Sequence, residues 1–142
     1  MAHDAGETQG VNDRIQLAAA EAGLRARTNR QWLAQGVTMV DPDATYVDST
    51  VTLAADVTLF PGTILQGRTL IGEGVEIGPG CRLVDCIVGE RTTIDHTVAH
   101  LSEIGADCIV GPYAVLEPGT QVKPGTRTGP FYTGGAATGH DD

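Results

Sequence analysis

His96 and His100 stand four residues apart. On a helix that spacing puts two imidazoles on one face and makes a metal-binding pair. Here the two lie in a stretch of short repeats, where residues four apart belong to neighbouring repeats. The repeat holds no third histidine, so the pair does not read as a metal site. His100 is expected on an exposed loop within an insertion between Val98 and Ile104. His140 is followed by Asp141 and Asp142 and reads as a tail histidine. Three cysteines, Cys81, Cys86 and Cys108, fit neither a redox nor a metal motif. Cys81 and Cys108 fall in a column of small residues and read as buried hydrophobes. Cys86 would need a neighbouring cation or histidine to act as a nucleophile, and His96 is the one histidine that folding could bring near it. Asn12 precedes a helical stretch, and its amide is suited to capping the helix.

Behind these residues stands an unusual composition. The chain has 142 residues, the length of one domain, with 9 Lys+Arg against 18 Asp+Glu and a net charge of −9. Such acidity disfavours nucleic acid and anionic membrane surfaces, which both select clustered cations. No apolar run approaches the roughly 18 residues of a membrane span. The N-terminus is polar and acidic, unlike a signal peptide. An odd, sparse set of cysteines points to the reducing cytoplasm. Glycine accounts for 19 residues while aromatics are only 4%, so the core cannot rest on bulky rings.

Positions 1–11 show no period and read as a flexible lead-in. A helix is expected from about Asp13 to Ala34, within a segment 12–36 that ends at Gly36. Arg25, Arg27, Asn29 and Arg30 suggest that much of it is solvated. Trp32 is read as packing on the first repeat beyond the helix.

After Gly36 a six-residue period begins. Val47, Leu53, Leu59, Leu65, Ile71, Ile77 and Leu83 follow it without a break. Val88 and Ile94 continue after the loss of one residue. A ten-residue step, read as holding an insertion, leads to Ile104, and Val110, Leu116 and Val122 resume the period. A second column of small or β-branched residues runs four positions later. Thr63, Cys81, Ile87, Thr92, Val98, Cys108 and Ala114 belong to it. Pro-Gly pairs recur at Pro61-Gly62, Pro79-Gly80, Pro118-Gly119 and Pro124-Gly125.

Each hexad is one short strand and one tight turn, and three close a triangular coil. The aliphatic residue points inward and the small one fits the corner. Gly and Pro supply the turn dihedrals, and coils stack at the strand spacing of about 4.8 Å. A narrow prism has little room for rings, which accounts for the scarcity of aromatics. The pattern is the hexapeptide repeat of a single-stranded, left-handed parallel β-helix. The predicted fold is all-β: about four coils over 37–127, preceded by one N-terminal α-helix and followed by a frayed tail, 128–142. The hand comes from resemblance to hexapeptide-repeat proteins, since parallel crossovers are ordinarily right-handed.

Further segments sharpen the resemblance. The run from Glu7 to Leu17 is similar to a junction motif of the bifunctional UDP-N-acetylglucosamine pyrophosphorylase / glucosamine-1-phosphate N-acetyltransferase family (GlmU). Gly36-Val37-Thr38-Met39-Val40-Asp41-Pro42 resembles that family's entry into the β-helix. Val110-Gly111-Pro112-Tyr113-Ala114 and Leu116-Glu117-Pro118-Gly119 resemble segments inside it. The likeness implies a cytoplasmic homotrimer of the transferase class. It implies acetyl-CoA as acyl donor, Mg²⁺ for the nucleotidyltransferase half, and products that feed UDP-N-acetylglucosamine and peptidoglycan synthesis. It also implies that Asn12 helps to bind Mg²⁺.

Three departures qualify that expectation. No glycine-rich loop for a nucleoside triphosphate occurs, and a single amide cannot hold Mg²⁺. Glu117 stands where the family has a phosphate-binding arginine, which reverses the charge. The family's histidine segment, whose histidine acts as general base, has no counterpart. The chain therefore reads as a truncated relative lacking both complete active sites. The alternatives are a non-catalytic trimeric scaffold, a subunit completed by a partner, and an acyltransferase with another acceptor. The prism end near Thr128 is expected to be uncapped, unless the tail orders over it.

Overall fold

In this computed structural model the described residues are 5–135 for the backbone and 13–135 for side chains. The N-terminal helix spans Ala5–Ala34. It begins well before the predicted start, so Asn12 lies inside it and does not cap it. The early residues Ala5, Glu7 and Gln9 have good helix propensity without an apolar stripe, so periodicity alone missed them. Gly36 adopts φ 97, and its amide donates to the Leu33 carbonyl as the helix ends.

Among the described side chains of the helix, those of its last turns anchor it. Asn29, which sequence placed among the solvated residues, is 1% exposed. Its Nδ2 donates to the carbonyls of Pro42 and Thr45, each at 2.9 Å. Its Oδ1 is buried and has no protein partner. The Arg25 guanidinium lies 4.7 Å from the Tyr46 ring centroid, a cation–π contact. Trp32 packs against the core, as expected.

The rest of the described chain winds as a left-handed parallel β-helix of about five coils, not four. The first face stacks Thr38–Met39, Thr58–Leu59, Glu76–Ile77, Thr93–Ile94 and Ile109–Val110. The second face stacks Thr45–Val47, Thr63–Gln66, Arg82–Val84, Thr97–His100, Ala114–Leu116 and Thr133–Gly134. The third stacks Thr52–Leu53, Leu70–Ile71, Ile87–Val88, Glu103–Ile104 and Gln121–Val122. Every pairing between coils is parallel and in register.

All thirteen aliphatic positions of the six-residue period are buried. The ten-residue step, however, contains no insertion. Ala99 fills the column, paired with Leu83 below and Leu116 above. The steps Leu83 to Val88, Ile94 to Ala99 and Ala99 to Ile104 are simply shorter by one residue. The shortening also shifts the corner column. Cys86, Thr97 and Ser102 occupy it, whereas Ile87 and Val98 point outward. Buried threonines in that column are satisfied locally. Thr63 Oγ1 donates to Phe60 O and Ile77 O, and Thr92 Oγ1 to Gly105 O.

The expected fraying at Thr128 is overturned. Thr133–Gly134 adds a sixth strand to the second face. Val115 N donates to Tyr132 O and Glu117 N to Gly134 O, each at 2.8 Å. Tyr132 packs against the core, so 128–135 is ordered over the last coil. Among the described residues no helix is long and apolar enough to cross a membrane.

Candidate functional site

The corner between the first and second faces gathers the groups best suited to chemistry. Each coil turns there through a residue in the left-handed region. In successive coils these are Gly62, Gly80, His96, Tyr113 and Phe131, with φ of 83, 66, 44, 61 and 60. The coils stack, so the residues form a ladder. A side chain at Gly80 would collide with the His96 ring, 2.9 Å from Cδ2; glycine there gives the imidazole its place. Above it, the His96 and Tyr113 centroids are 5.1 Å apart with a 35° tilt. Tyr113 and Phe131 stack at 5.7 Å and 15°. His96 Nδ1 is held by Asp95 Oδ1, which orients the ring and leaves Nε2 facing away from the carboxylate. An imidazole fixed in this way can accept a proton at Nε2.

His100 does not join it. It is the last residue of the strand Thr97–His100, whereas His96 precedes the first, about 13 Å away along the strand direction. It sits on a strand, not on the expected loop. Cys86 turns the corner between the second and third faces, so His96 is not its neighbour. The thiol beside the His96 corner is that of Cys81, whose Sγ donates to Ile94 O at 3.6 Å. Burial pushes the Cys81 thiol up to about 11, with the nearby Asp95 charge adding to it. Burial likewise raises Cys86. Both are therefore thiols at neutral pH and poor nucleophiles.

Glu117 precedes the turn Pro118-Gly119. Its backbone is fixed: its carbonyl accepts from Ser102 Oγ at 3.2 Å and from Thr120 Oγ1 at 2.6 Å. Its side chain is exposed. The turn geometry expected from the resemblance is thus present and carries a carboxylate. The side chain of Asn12, and all of His140, lie outside the described residues. Among the described residues no group of three or more His, Cys, Asp or Glu is placed to hold a metal ion. The Mg²⁺ implied by the resemblance therefore has no ligand set among the described residues.

Sequence comparison decides the relationship. The chain is 45% identical over 125 residues to "Bifunctional protein GlmU" of Geobacillus sp. (strain WCH70), covering 88% of this chain and 27% of that protein. The Micrococcus luteus protein of the same name is 46% identical over 129 residues, covering 91% of this chain and 26% of its own length. This chain is related to the C-terminal part of GlmU. It spans about a quarter of the length of these curated relatives. No family profile matches it. Among solved structures, a hexapeptide transferase family protein from Anaplasma phagocytophilum aligns with TM-score 0.36 at 17% identity, over 72% of this chain and 76% of that one. A mutant GDP-perosamine N-acetyl transferase from Caulobacter crescentus aligns with TM-score 0.33 at 16% identity, over 75% of this chain and 59% of that one. The GlmU kinship agrees with the resemblance carried by the junction, the β-helix entry and the Leu116-Glu117-Pro118-Gly119 segment.

Proposed function

We propose that this chain is a cytoplasmic, homotrimeric β-helix scaffold, derived from the acetyltransferase region of GlmU, which does not acetylate glucosamine-1-phosphate by itself. Glu117 carries the reading. An exposed carboxylate on a fixed turn repels a sugar phosphate, where the resemblance implies an arginine that would bind it. A partner that brings its own phosphate-binding cation to this turn would restore the role in UDP-N-acetylglucosamine and peptidoglycan synthesis. The test is thiol release from acetyl-CoA by the purified chain, with and without glucosamine-1-phosphate. Release no faster than a protein-free blank is expected. Acceptor-dependent release would overturn the proposal.

A second reading, acyl transfer to a different acceptor, is supported by the oriented imidazole of His96. Its Nε2 could take the proton from an acceptor amine or hydroxyl as that group attacks the thioester carbonyl. The same proton would then go to the departing thiolate. A panel of amines and amino sugars lacking phosphate, assayed with His96→Gln alongside, tests it. Release that depends on acceptor and is lost in His96→Gln would favour this reading, and none across the panel would remove it.

A further inference from the structure

We propose that the second face carries an acceptor site for a linear α,ω-diamine, with one ammonium on Glu117 and the reacting amine at His96. The inference rests on the second reading above, acyl transfer through His96, and names the acceptor class of that site. The two residues stand at opposite ends of the face in adjacent coils. His96 precedes the strand Thr97–His100, and Glu117 follows the strand Ala114–Leu116 that pairs with it. The span between their levels is about 13 Å along the strands. The face between them is apolar. Val98 and Val115 pair across the two coils and point outward, 50% and 44% exposed. Their side chains suit a methylene chain and offer no hydrogen bond to a polar linker.

The charges fit a cation at one end and a proton acceptor at the other. Glu117 is exposed, on a backbone fixed by the Ser102 and Thr120 hydroxyls. Among the described residues its carboxylate has no ion-pair partner. His100 flanks it in the coil below, one step beyond the paired Ala99 and Leu116. As the neutral imidazole, His100 can accept a second hydrogen bond from the ammonium. Arg82, the cation of the outward rows, pairs with Val98 in the ladder. Its Nε donates to Gln66 Oε1 at 2.8 Å, which draws the guanidinium away from Val115. The other carboxylate of the face, Asp48, lies in the first coil and accepts from Gly67 N at 3.1 Å. At the far end Asp95 Oδ1 holds His96 Nδ1, so Nε2 is left for the substrate. The net charge of −9 favours the approach of a dication. In the reaction the amine at His96 attacks the thioester carbonyl of an acyl-CoA as its free base. The N–C bond forms and the C–S bond breaks. The proton lost by nitrogen passes through Nε2 to the departing thiolate, leaving a mono-N-acyl diamine and a free thiol. The ammonium at Glu117 stays charged and unreacted.

Isothermal titration calorimetry on the full chain, with octamethylenediamine as the probe, tests the site apart from the chemistry. The extended octamethylene chain is close to the span of the face, and tetramethylenediamine reaches about half of it. The longer diamine is expected to bind at least about tenfold more tightly than the shorter, and more tightly than n-octylamine. Glu117→Gln should weaken it about threefold to fivefold, as befits an exposed ion pair, and Glu117→Arg at least about tenfold. Far-UV circular dichroism should show the fold retained in both. Glu103→Gln, an exposed carboxylate on the third face, should change nothing. His96→Gln should keep binding within about threefold and abolish thiol release from acetyl-CoA. Equal affinity for the two diamines, or unchanged affinity in Glu117→Arg, overturns the inference. Thiol release driven by other amines with no preference for the diamine keeps the acyl-transfer reading and overturns this one. Diamine binding of the expected kind without thiol release overturns the acyl-transfer reading, and the site is then not an acceptor site.

Discussion

Ala99 marks the narrowest part of the prism. The column it belongs to is otherwise filled by Leu83 below and Leu116 above. Two five-residue steps flank it, from Ile94 and to Ile104, so the local coil has a shorter perimeter than its neighbours. A shorter perimeter leaves room for a methyl and not for an isobutyl group. Ala99→Leu should therefore destabilise the chain by about 1–3 kcal/mol through overpacking, read as a lower urea midpoint at unchanged m-value. A gain in stability would mean that a void lies behind Ala99. The thiol of Cys81 provides a second residue-scale test. Burial pushes it from 9.0 up to about 11. Below pH 9 it is protonated in both folded and unfolded chains, and its contribution to stability is fully present. As pH rises from 9 towards 11 the unfolded chain gives up the proton while the folded one keeps it. The unfolded state then binds fewer protons, so stability falls with pH across that window. Cys86, raised by the same cause, adds to the effect. Urea titrations at pH 8 and pH 10.5 should show the loss, and Cys81→Ala together with Cys86→Ala should flatten it. A thiol reagent at pH 8 should label neither cysteine until the chain unfolds.

Coils approach one another most closely through backbone, and a single glycine can be decisive there. A Cβ at Gly89 would stand 2.5 Å from Ala106 N and 2.8 Å from Gly105 C in the next coil. Those atoms belong to the ladder itself and cannot swing aside as a flexible side chain would. Gly89→Ala is therefore expected to cost about 1–3 kcal/mol and to lower the thermal midpoint, whereas Gly23→Ala meets nothing within 4 Å and should stabilise slightly, since alanine is the better helix former. Sequence reads this architecture well because the repeat leaves so few choices: an aliphatic residue, a corner, a turn. The positive φ at Gly62, Gly80, Gly119 and Gly125 agrees with the turns read from their Pro-Gly pairs. It reads poorly where the repeat economises. One methyl at Ala99 does not announce a core position, so two short steps looked like one long insertion. A strict six-residue count likewise puts Ile87 and Val98 at the corner, which Cys86 and Thr97 hold. The ladder at the His96 corner is not legible in the sequence for a different reason. Its members are sixteen to eighteen residues apart, and only the coil length, known once the short steps are placed, brings them into one line.

At the scale of the whole molecule, order is distributed along the prism in proportion to what each coil touches. A solenoid is held by contacts between neighbouring repeats, so interior coils have two interfaces and terminal segments one. The N-terminal helix has less still. Asn29, Arg25 and Trp32 tie its last turns to the first coil, while Ile15, Leu17 and Leu24 are 62%, 58% and 56% exposed. A helix without a packed face is marginal even when its sequence favours it. Hydrogen exchange should therefore divide the chain sharply. Amides from Asp13 to Ala22 are expected to exchange near their intrinsic rates. Those of Thr63–Gln66, Arg82–Val84 and Thr97–His100, each paired on both sides, should exchange only through global opening, with free energies that match denaturant unfolding. Thr133–Gly134, paired only through the Ala114–Leu116 strand, should fall between them. Asn29→Ala distinguishes an anchor from a passive contact. Losing its two bonds to the Pro42 and Thr45 carbonyls should cost about 1–3 kcal/mol and should carry fast exchange through Trp32 without reaching the central strands. If instead the first half of the helix proved as protected as those strands, the helix would have a partner in solution, and the exposed leucines would name the face that it covers.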